Sequence, residues 1–243
     1  MMKFNSQRGT SLIELMIVIL ILMIILTAVF EVINVAQQRT TTEQSKLDVL
    51  QQGREFMDQM SRDLHQAGYP SPRNFLGTGV LTASPTYNDS KTAVGIVKVS
   101  DGDLWFEGDV DGSGSVSVVH YHLDTSTTYG CPCLKRSQLP KIDGNPFNGQ
   151  STEQYQVEVQ GVQNTAIFSA FAWGATGTPV MLPIDFSANA NTIATIDTVQ
   201  AVVTLQAPIQ DPKTGIKPVT TLVVTAKLNN CSQAASGFAM SCQ

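Results

Sequence analysis

Charge is scarce in this chain, and basic charge scarcer still. Only 14% of its 243 residues are Asp, Glu, Lys or Arg, and acids outnumber bases 20 to 15, for a formal net charge of −5. Once Lys3 and Arg8 near the N-terminus are set aside, no basic stripe remains to neutralise a phosphate backbone, so nucleic acid is not an expected partner. Signatures of catalysis are missing as well. The chain holds no G-x-S-x-G elbow, no H-E-x-x-H pair and no P-loop, and an enzyme is not expected. Proline is absent from Glu31 to Ala67 and glycine occurs there once, at Gly53, so little in that stretch would break a helix. The alternation of strands and helices that marks a parallel sheet is also lacking, and any sheet should be antiparallel.

What the chain does have is one long apolar run. From Leu15 to Phe30 only Thr27 is not strongly apolar. Leu12 and Ile13 on one side and the stretch to Ala36 on the other extend the run to about the 20 residues that span a bilayer core, so a membrane segment is placed at about residues 12–36. Lys3 and Arg8 precede it, which keeps the leader in the cytoplasm and exports the bulk of the chain. A secretory signal peptide would need a small-x-small site after the run. The best one ends at Ala36 and puts Asn34 at its minus-three position, a poor fit.

Within the start of this run stands a single carboxylate, Glu14. An ionisable group at the centre of a lipid span costs roughly 2.5–3.5 kcal/mol and calls for a named partner. The surrounding order, Arg8-Gly9-Thr10-Ser11-Leu12-Ile13-Glu14-Leu15-Met16, resembles the N-terminus of type IV pilins and pseudopilins. That resemblance implies that a membrane-embedded aspartyl prepilin peptidase cuts after Gly9 and usually methylates the new N-terminus, here Thr10. Most family members carry Phe or another large apolar residue where this chain has Thr10, a departure that bears on methylation more than on cutting. Removing Lys3 and Arg8 with the leader takes the net charge from −5 to −7. The freed amine of Thr10 would then be the cation that Glu14 of a neighbouring subunit neutralises, so cleavage would prime assembly. Snorkelling to the headgroups explains why a Glu is tolerated but not why it lies at this spacing from Gly9.

Beyond the lipid segment the helix should continue with changed character. Leu47, Leu50, Met57, Met60, Leu64 and Ala67 recur at three- and four-residue spacings, with Glu43, Lys46, Glu55, Asp58, Arg62 and Asp63 among the polar positions between them. Gly68-Tyr69-Pro70 should stop it, the glycine as a left-handed cap and the proline as a barrier. A helix over residues 10–67 would be roughly 85 Å long. Its last turns, Met60-Ser61-Arg62-Asp63-Leu64-His65-Gln66-Ala67-Gly68-Tyr69, resemble the Met-x-Arg-Asp-Leu-x-x-Ala-Gly-Tyr stretch of PilW-type minor pilins and, less closely, the J-type minor pseudopilins of type II secretion. Arg62 and Asp63 are expected on a solvated helix face.

From Val80 onward the chain reads as β structure. Segments at Val94–Val99, Leu104–Glu107, Val116–Leu123, Tyr155–Val159, Val199–Leu205 and Leu222–Leu228 are rich in Val, Ile, Thr and aromatics and bounded by turn residues. The last two should form a long hairpin whose ladder Pro208 and Pro218 confine to its middle, while Pro140–Thr152 and Ala188–Ala194 read as loops. The expected fold class is α+β, a long N-terminal helix packed against an antiparallel sheet. Its parts would be a leader at residues 1–9, a helix at 10–67 and an exported β-rich domain at 68–243.

Four cysteines lie on the exported side, where disulfides persist, and they allow three connectivities. A Cys231–Cys242 bridge would pin the C-terminal tail, and the family's C-terminal cystine points the same way; a Cys131–Cys133 bridge, strained across the one intervening Pro132, is left open. His120 and His122 share a strand face shortly before Cys131 and Cys133, which supplies zinc ligand types, but the spacing matches no ribbon or finger and exposed strand histidines account for it better. Asp109-Val110-Asp111-Gly112-Ser113-Gly114-Ser115 matches the first half of a D-x-[DN]-x-[DNS]-G calcium loop, in which Asp109, Asp111, Ser113 and the Ser115 carbonyl would be ligands. The bidentate glutamate of such loops is replaced by His120, so an ion-free Asp/Gly-rich hairpin turn remains the other reading.

These readings converge on a minor type IV pilin with no cofactor beyond the calcium in question. It would begin as a single-pass inner-membrane precursor with a cytoplasmic N-terminus and end in a pilus or its priming tip complex. The partners so implied are prepilin peptidase, other major and minor pilins and the inner-membrane assembly platform. A type II secretion pseudopilin and a tip adhesin that binds a ligand through its β domain are the alternatives.

Overall fold

A computed structural model describes residues 11–75, 77–127, 130–172 and 179–229. Helix α1 runs unbroken over Leu12–Gln66, 55 residues, or about 82 Å at 1.5 Å per residue. It ends where the sequence places its stop. Ala67 leaves helical geometry and Gly68 takes a φ of 79°, a left-handed conformation that a side chain would resist.

Among the described residues nine strands follow: β1 (Ile96–Val99), β2 (Asp103–Gly108), β3 (Ser117–Asp124), β4 (Cys133–Pro140), β5 (Gln156–Gln160), β6 (Phe168–Ala172), β7 (Ile184–Asp185), β8 (Ile196–Gln206) and β9 (Val219–Lys227), with a single helical turn, α2 (Ala190–Ile193), before β8. They form a six-stranded sheet in the order β5-β4-β3-β2-β1-β7 and a three-stranded sheet in the order β6-β8-β9. Every pairing is antiparallel. This is the expected α+β class. Strands β4, β6 and β7 were not marked in the sequence, and the stretch at Ala188–Ala194, read as loop, contains α2. The β8–β9 ladder runs from Thr198 opposite Lys227 to Gln206 opposite Val219, short of both Pro208 and Pro218 as expected.

The helix meets the sheets along one row. Thr42, Ser45, Gly53, Phe56, Met57, Met60, Asp63, Leu64 and Ala67 are buried, at three- and four-residue steps. At Gly53 a side chain would run into Leu205 of β8 and Leu222 of β9, so glycine lets the helix lie directly on the small sheet. Phe56 sets its ring edge-on to Tyr121 of β3, with centroids 5.5 Å apart. Met60 and Leu64 are fully enclosed in a core that also contains Phe106, Tyr121 and Leu134 of the large sheet and Phe168, Val199 and Leu205 of the small one. Each such side chain contributes about 1.5–3 kcal/mol when fully buried. Leu47 is a correction to the expected stripe, because it lies off this row and is 60% exposed.

Asp63 is a second correction, for it is 1% exposed and belongs to the packed face. Its Oδ2 accepts hydrogen bonds from the Tyr121 hydroxyl at 2.7 Å and from Arg136 Nε at 2.8 Å, and its Oδ1 accepts from Gln59 at 2.9 Å. Arg136 Nη2 also lies 2.8 Å from Oδ2, completing a buried ion pair between the helix and β4. Burial, together with the charge of Asp63, holds the Tyr121 phenol well above its usual range, so it stays a donor. A second buried pair closes the far side of the large sheet. Lys141 Nζ donates to Glu107 Oε2 at 2.7 Å and to the carbonyls of Tyr87 and Thr92 at 2.8 and 2.7 Å, which uses all three of its protons.

The end of the helix is stitched to the end of β2. Gly68 N–H donates to the Glu107 carbonyl at 2.8 Å, Asp109 N–H donates to the Tyr69 carbonyl at 2.9 Å, and Ala67 pairs with Gly108 as an isolated bridge. A Cβ at Gly108 would collide with the carbonyl of Gln66, which is why the approach requires glycine.

Removing one partner of a buried pair costs about 3–5 kcal/mol, because the other charge is left without compensation. Asp63→Ala should therefore lower the unfolding free energy of the full chain in detergent by about that amount. Arg62→Ala, one residue away on the exposed side, should change it by less than about 0.5 kcal/mol. Denaturant titration followed by tryptophan fluorescence measures both.

Candidate functional site

From Ser11 to Thr41 every residue of the chain is exposed, including all the large apolar ones. Among the described residues this half of α1 has no packing partner, and by length and composition α1 can cross a membrane. Its one hydroxyl within the apolar run is already satisfied, since Thr27 Oγ1 donates to the Met23 carbonyl at 2.9 Å. From Leu15 to Phe30 such a segment carries no unmet backbone or side-chain donor into lipid. Thr42 marks the change of surroundings, donating to the Gln210 carbonyl at 3.2 Å in the loop between β8 and β9.

Glu14 occupies the first turn of the helix, where an anion is favoured by the unpaired N–H groups. Its own N–H and that of Leu15 reach back to the Ser11 carbonyl at 3.0 and 3.2 Å. The carboxylate is exposed and thus available to another chain. Gly9 and Thr10, the expected processing residues, lie outside the described residues, as do Cys231 and Cys242.

The Asp109–Ser115 segment connects β2 and β3. Asp109 is 5% exposed, and its Oδ2 accepts the Gly114 N–H at 2.9 Å across the turn. Asp111 Oδ1 accepts the Ser113 N–H at 3.0 Å, and Ser113 Oγ accepts the Ser115 N–H at 3.3 Å. Gly112 and Gly114 both have positive φ, 67° and 80°, as a tight turn of this kind requires.

The two histidines and the two cysteines, the zinc ligand types weighed in the sequence, fall into separate groups. Cys131 and Cys133 are bridged to each other, the closure that the sequence had left as an alternative. The histidines instead face Asp103 of β2, whose Oδ1 lies 2.6 Å from His122 Nδ1 and 3.3 Å from His120 Nε2. Asp103 is a residue that sequence reasoning passed over, although the β2–β3 register places it directly opposite His122. His120 is not an exposed strand histidine. It is 7% exposed, stacked on Trp105 at 5.2 Å, with its Nδ1 2.7 Å from the Tyr155 hydroxyl. One assignment satisfies every group: His120 Nε2–H donates to Asp103, and Nδ1 accepts the Tyr155 proton. Ser100 and Lys98 hold the other carboxylate oxygen at 3.2 and 3.6 Å. The cluster works as a cross-strand clamp joining β1, β2, β3 and the segment before β5.

These contacts fix a pH dependence. Hydrogen bonds from His120 and His122, opposed by burial and aided by Lys98, hold the Asp103 carboxyl well below its ordinary range. A depressed carboxyl stabilises the fold above its unfolded pKa of about 3.9, and that contribution disappears as pH falls below it. The acid limb of the stability curve should accordingly flatten in Asp103→Asn, measured as denaturant midpoints between neutral pH and about pH 3.

Residues 4–30 match the family model described as the prokaryotic N-terminal methylation motif. No curated protein and no solved structure matches the chain. The motif covers residues 4–9 of the expected leader, Thr10, Glu14 and most of the exposed half of α1, and with that helix and the antiparallel sheets behind it, it supports a type IV pilin-like protein carrying a prepilin-type N-terminus.

Proposed function

We propose that the chain is a minor type IV pilin, cut after Gly9 by prepilin peptidase and built into a pilus or its priming tip complex through the exposed half of α1. The observation that carries this reading is the division of one continuous helix. Its last third is clasped by the sheets through Asp63, while residues 11–41 offer an unpartnered apolar surface with Glu14 in the first turn. A membrane anchor alone would need the apolar surface but not the carboxylate. Pairing Glu14 with the freed amine of Thr10 on a neighbouring subunit supplies the cation that an acid in a lipid span requires.

A minor rather than a shaft-forming subunit is favoured by the Met60-x-Arg62-Asp63-Leu64-x-x-Ala67-Gly68-Tyr69 stretch. Each shared apolar or special position has a task in this fold: Met60, Leu64 and Ala67 are enclosed, Asp63 holds β4 through Arg136, and Gly68 turns the chain. Lys3 and Arg8, ahead of the span, favour a cytoplasmic leader and an exported β domain.

In cells containing the peptidase, N-terminal sequencing should show a mature chain beginning at Thr10, and Gly9→Ala should remain uncut. Glu14→Ala should be cut as well as the parent yet fail to enter filaments, as read by sedimentation of sheared pili. A start near Gln37 would return the protein to the class of ordinary secreted domains. Complementation of piliation, scored beside protein secretion, separates the pilus reading from a type II secretion pseudopilin.

A further inference from the structure

We propose that the β2–β3 turn, Asp109 to Ser115, is a calcium-binding loop that fastens the junction where α1 ends. The reading is independent of how the N-terminus is processed. It begins from an oxygen atom that the fold leaves unserved. Asp109 is 5% exposed, and while its Oδ2 accepts the Gly114 N–H, its Oδ1 is enclosed and has no hydrogen-bond partner among the described residues. Leaving a buried acceptor unsatisfied costs more than a hydrogen bond returns, and more again when the group is charged. Among the described residues neither Asp109 nor Asp111 forms an ion pair with Lys, Arg or His, although their side chains interact with each other. Two carboxylates held together in a tight turn, one of them buried, lack a cation.

The donors available are all oxygens: Asp109 Oδ1, the Asp111 carboxylate, the Ser113 hydroxyl and the Ser115 carbonyl. An oxygen-only set selects a hard cation over zinc or copper. The histidines that would attract a softer ion are committed to Asp103 at the other end of the same hairpin. Between the two common hard cations, an irregular set on an exposed turn, completed by water, suits calcium. Magnesium demands near-ideal octahedral geometry and dehydrates reluctantly. The Asp109 to Gly114 hydrogen bond closes the loop without consuming Oδ1, and the positive φ of Gly114 turns the chain so that the Ser115 carbonyl can join. With no acidic residue at the position His120 occupies, affinity belongs at the weak end for such loops, about 10⁻⁴–10⁻³ M, the range of extracellular modules.

The consequence reaches beyond the loop. Asp109 donates its backbone N–H to Tyr69, and Gly108 just before it bridges Ala67, so an ion on Asp109 anchors the strand end that receives the helix. Calcium would then stiffen the joint between α1 and the large sheet in an exported protein.

The test uses the full chain in detergent micelles, stripped with chelator and titrated with calcium chloride alone, then with magnesium chloride. Calcium in about tenfold excess over its dissociation constant should raise the melting temperature by roughly 3–5 °C, with one equivalent bound by calorimetry. Magnesium should have little effect. Asp111 is exposed, so Asp111→Ala should melt like the parent in chelator and lose calcium affinity at least tenfold. Asp109→Asn, which keeps the acceptor for Gly114, should fold and be equally unresponsive. The proposal is overturned if the parent shows no shift up to about 10 mM calcium, well above the weak end of such sites. It is also overturned if Asp111→Ala responds as the parent does, or if magnesium reproduces the shift.

Discussion

One helix serves two surroundings, and the rest of the structure follows from that constraint. Over its first thirty or so residues α1 has none of the described residues packed beside it, and over its last twenty-odd it forms part of a protein core. A continuous helix across such a boundary must be rigidly held on one side to be useful on the other. The fold meets this need with contacts of increasing strength toward the C-terminal end. Thr42 shares its hydroxyl between the Gln38 carbonyl one turn back and a loop carbonyl, Gly53 lies flush on two leucines, Phe56 and Met60 enter the core, and Asp63 is locked by Tyr121 and Arg136. Past Asp63 the chain cannot tilt without breaking the bonds of Gly68 and Asp109 to β2 and Tyr69.

The Asp63–Arg136 pair shows why an ion pair rather than a larger apolar patch holds this joint. Replacing a buried pair by apolar groups is often neutral or stabilising, so its value need not lie in stability. The pair does define a position, because the guanidinium reaches Asp63 through Nε and Nη2 while also donating to Gln138 at 2.7 Å. Sliding the helix by one turn would bring Gln59 or Ala67 opposite Arg136 and strand both charges. On the proposed reading, in which the other half of the helix meets neighbouring subunits in register, a joint that punishes displacement is worth more than one that merely adheres. Lys141 and Glu107 act similarly at the C-terminal end of β2, the end that receives the helix, where all three ammonium protons are spoken for.

The sequence revealed the large features of this arrangement because they depend on local rules. The apolar run, the helix without proline, the Gly68 stop and the β8–β9 hairpin each announce themselves within a window of a few residues. What escaped depends on partners distant in the chain. Asp63 lies on the same row as Phe56, Met60 and Ala67, so the spacing did place it inward; its charge suggested otherwise, and the Arg136 that makes its burial tolerable is 73 residues away. The row begins with Thr42, Ser45 and Gly53, small or polar residues that a search for hydrophobic spacing overlooks, and Leu47 was drawn in by its chemistry alone. Strand β4 carries Lys135, Arg136, Ser137 and Gln138 between Leu134 and Leu139, a pattern too polar to be marked until β3 and β5 lie on either side of it. Asp103 could have been found, since a hairpin through the Asp109 turn sets it opposite His122, but only after the register of that turn was known.

Whether Glu14 prevents membrane insertion is decided by magnitude. The fourteen Leu, Ile, Val, Met and Phe residues from Leu15 to Phe30 favour insertion by roughly 5 kcal/mol in sum. One acid costs at most about 2.5–3.5 kcal/mol at the centre of a span and less near its end, where Glu14 sits, so anchoring wins with the carboxylate in place. The charge is therefore tolerable in a lone subunit yet remains a cost that a correctly placed cation can remove. Apolar packing between helices in lipid has little preference for register, because the tails are as apolar as the side chains. An ion pair in the same medium has a strong preference, because a slip of one turn leaves two unpaired charges. On the proposed reading, the apolar face supplies adhesion to the membrane and to neighbouring helices, and Glu14 supplies the register. Asp63 does the same at the other end of the helix, so one kind of interaction, a carboxylate that must be matched where water is excluded, sets both joints of the subunit.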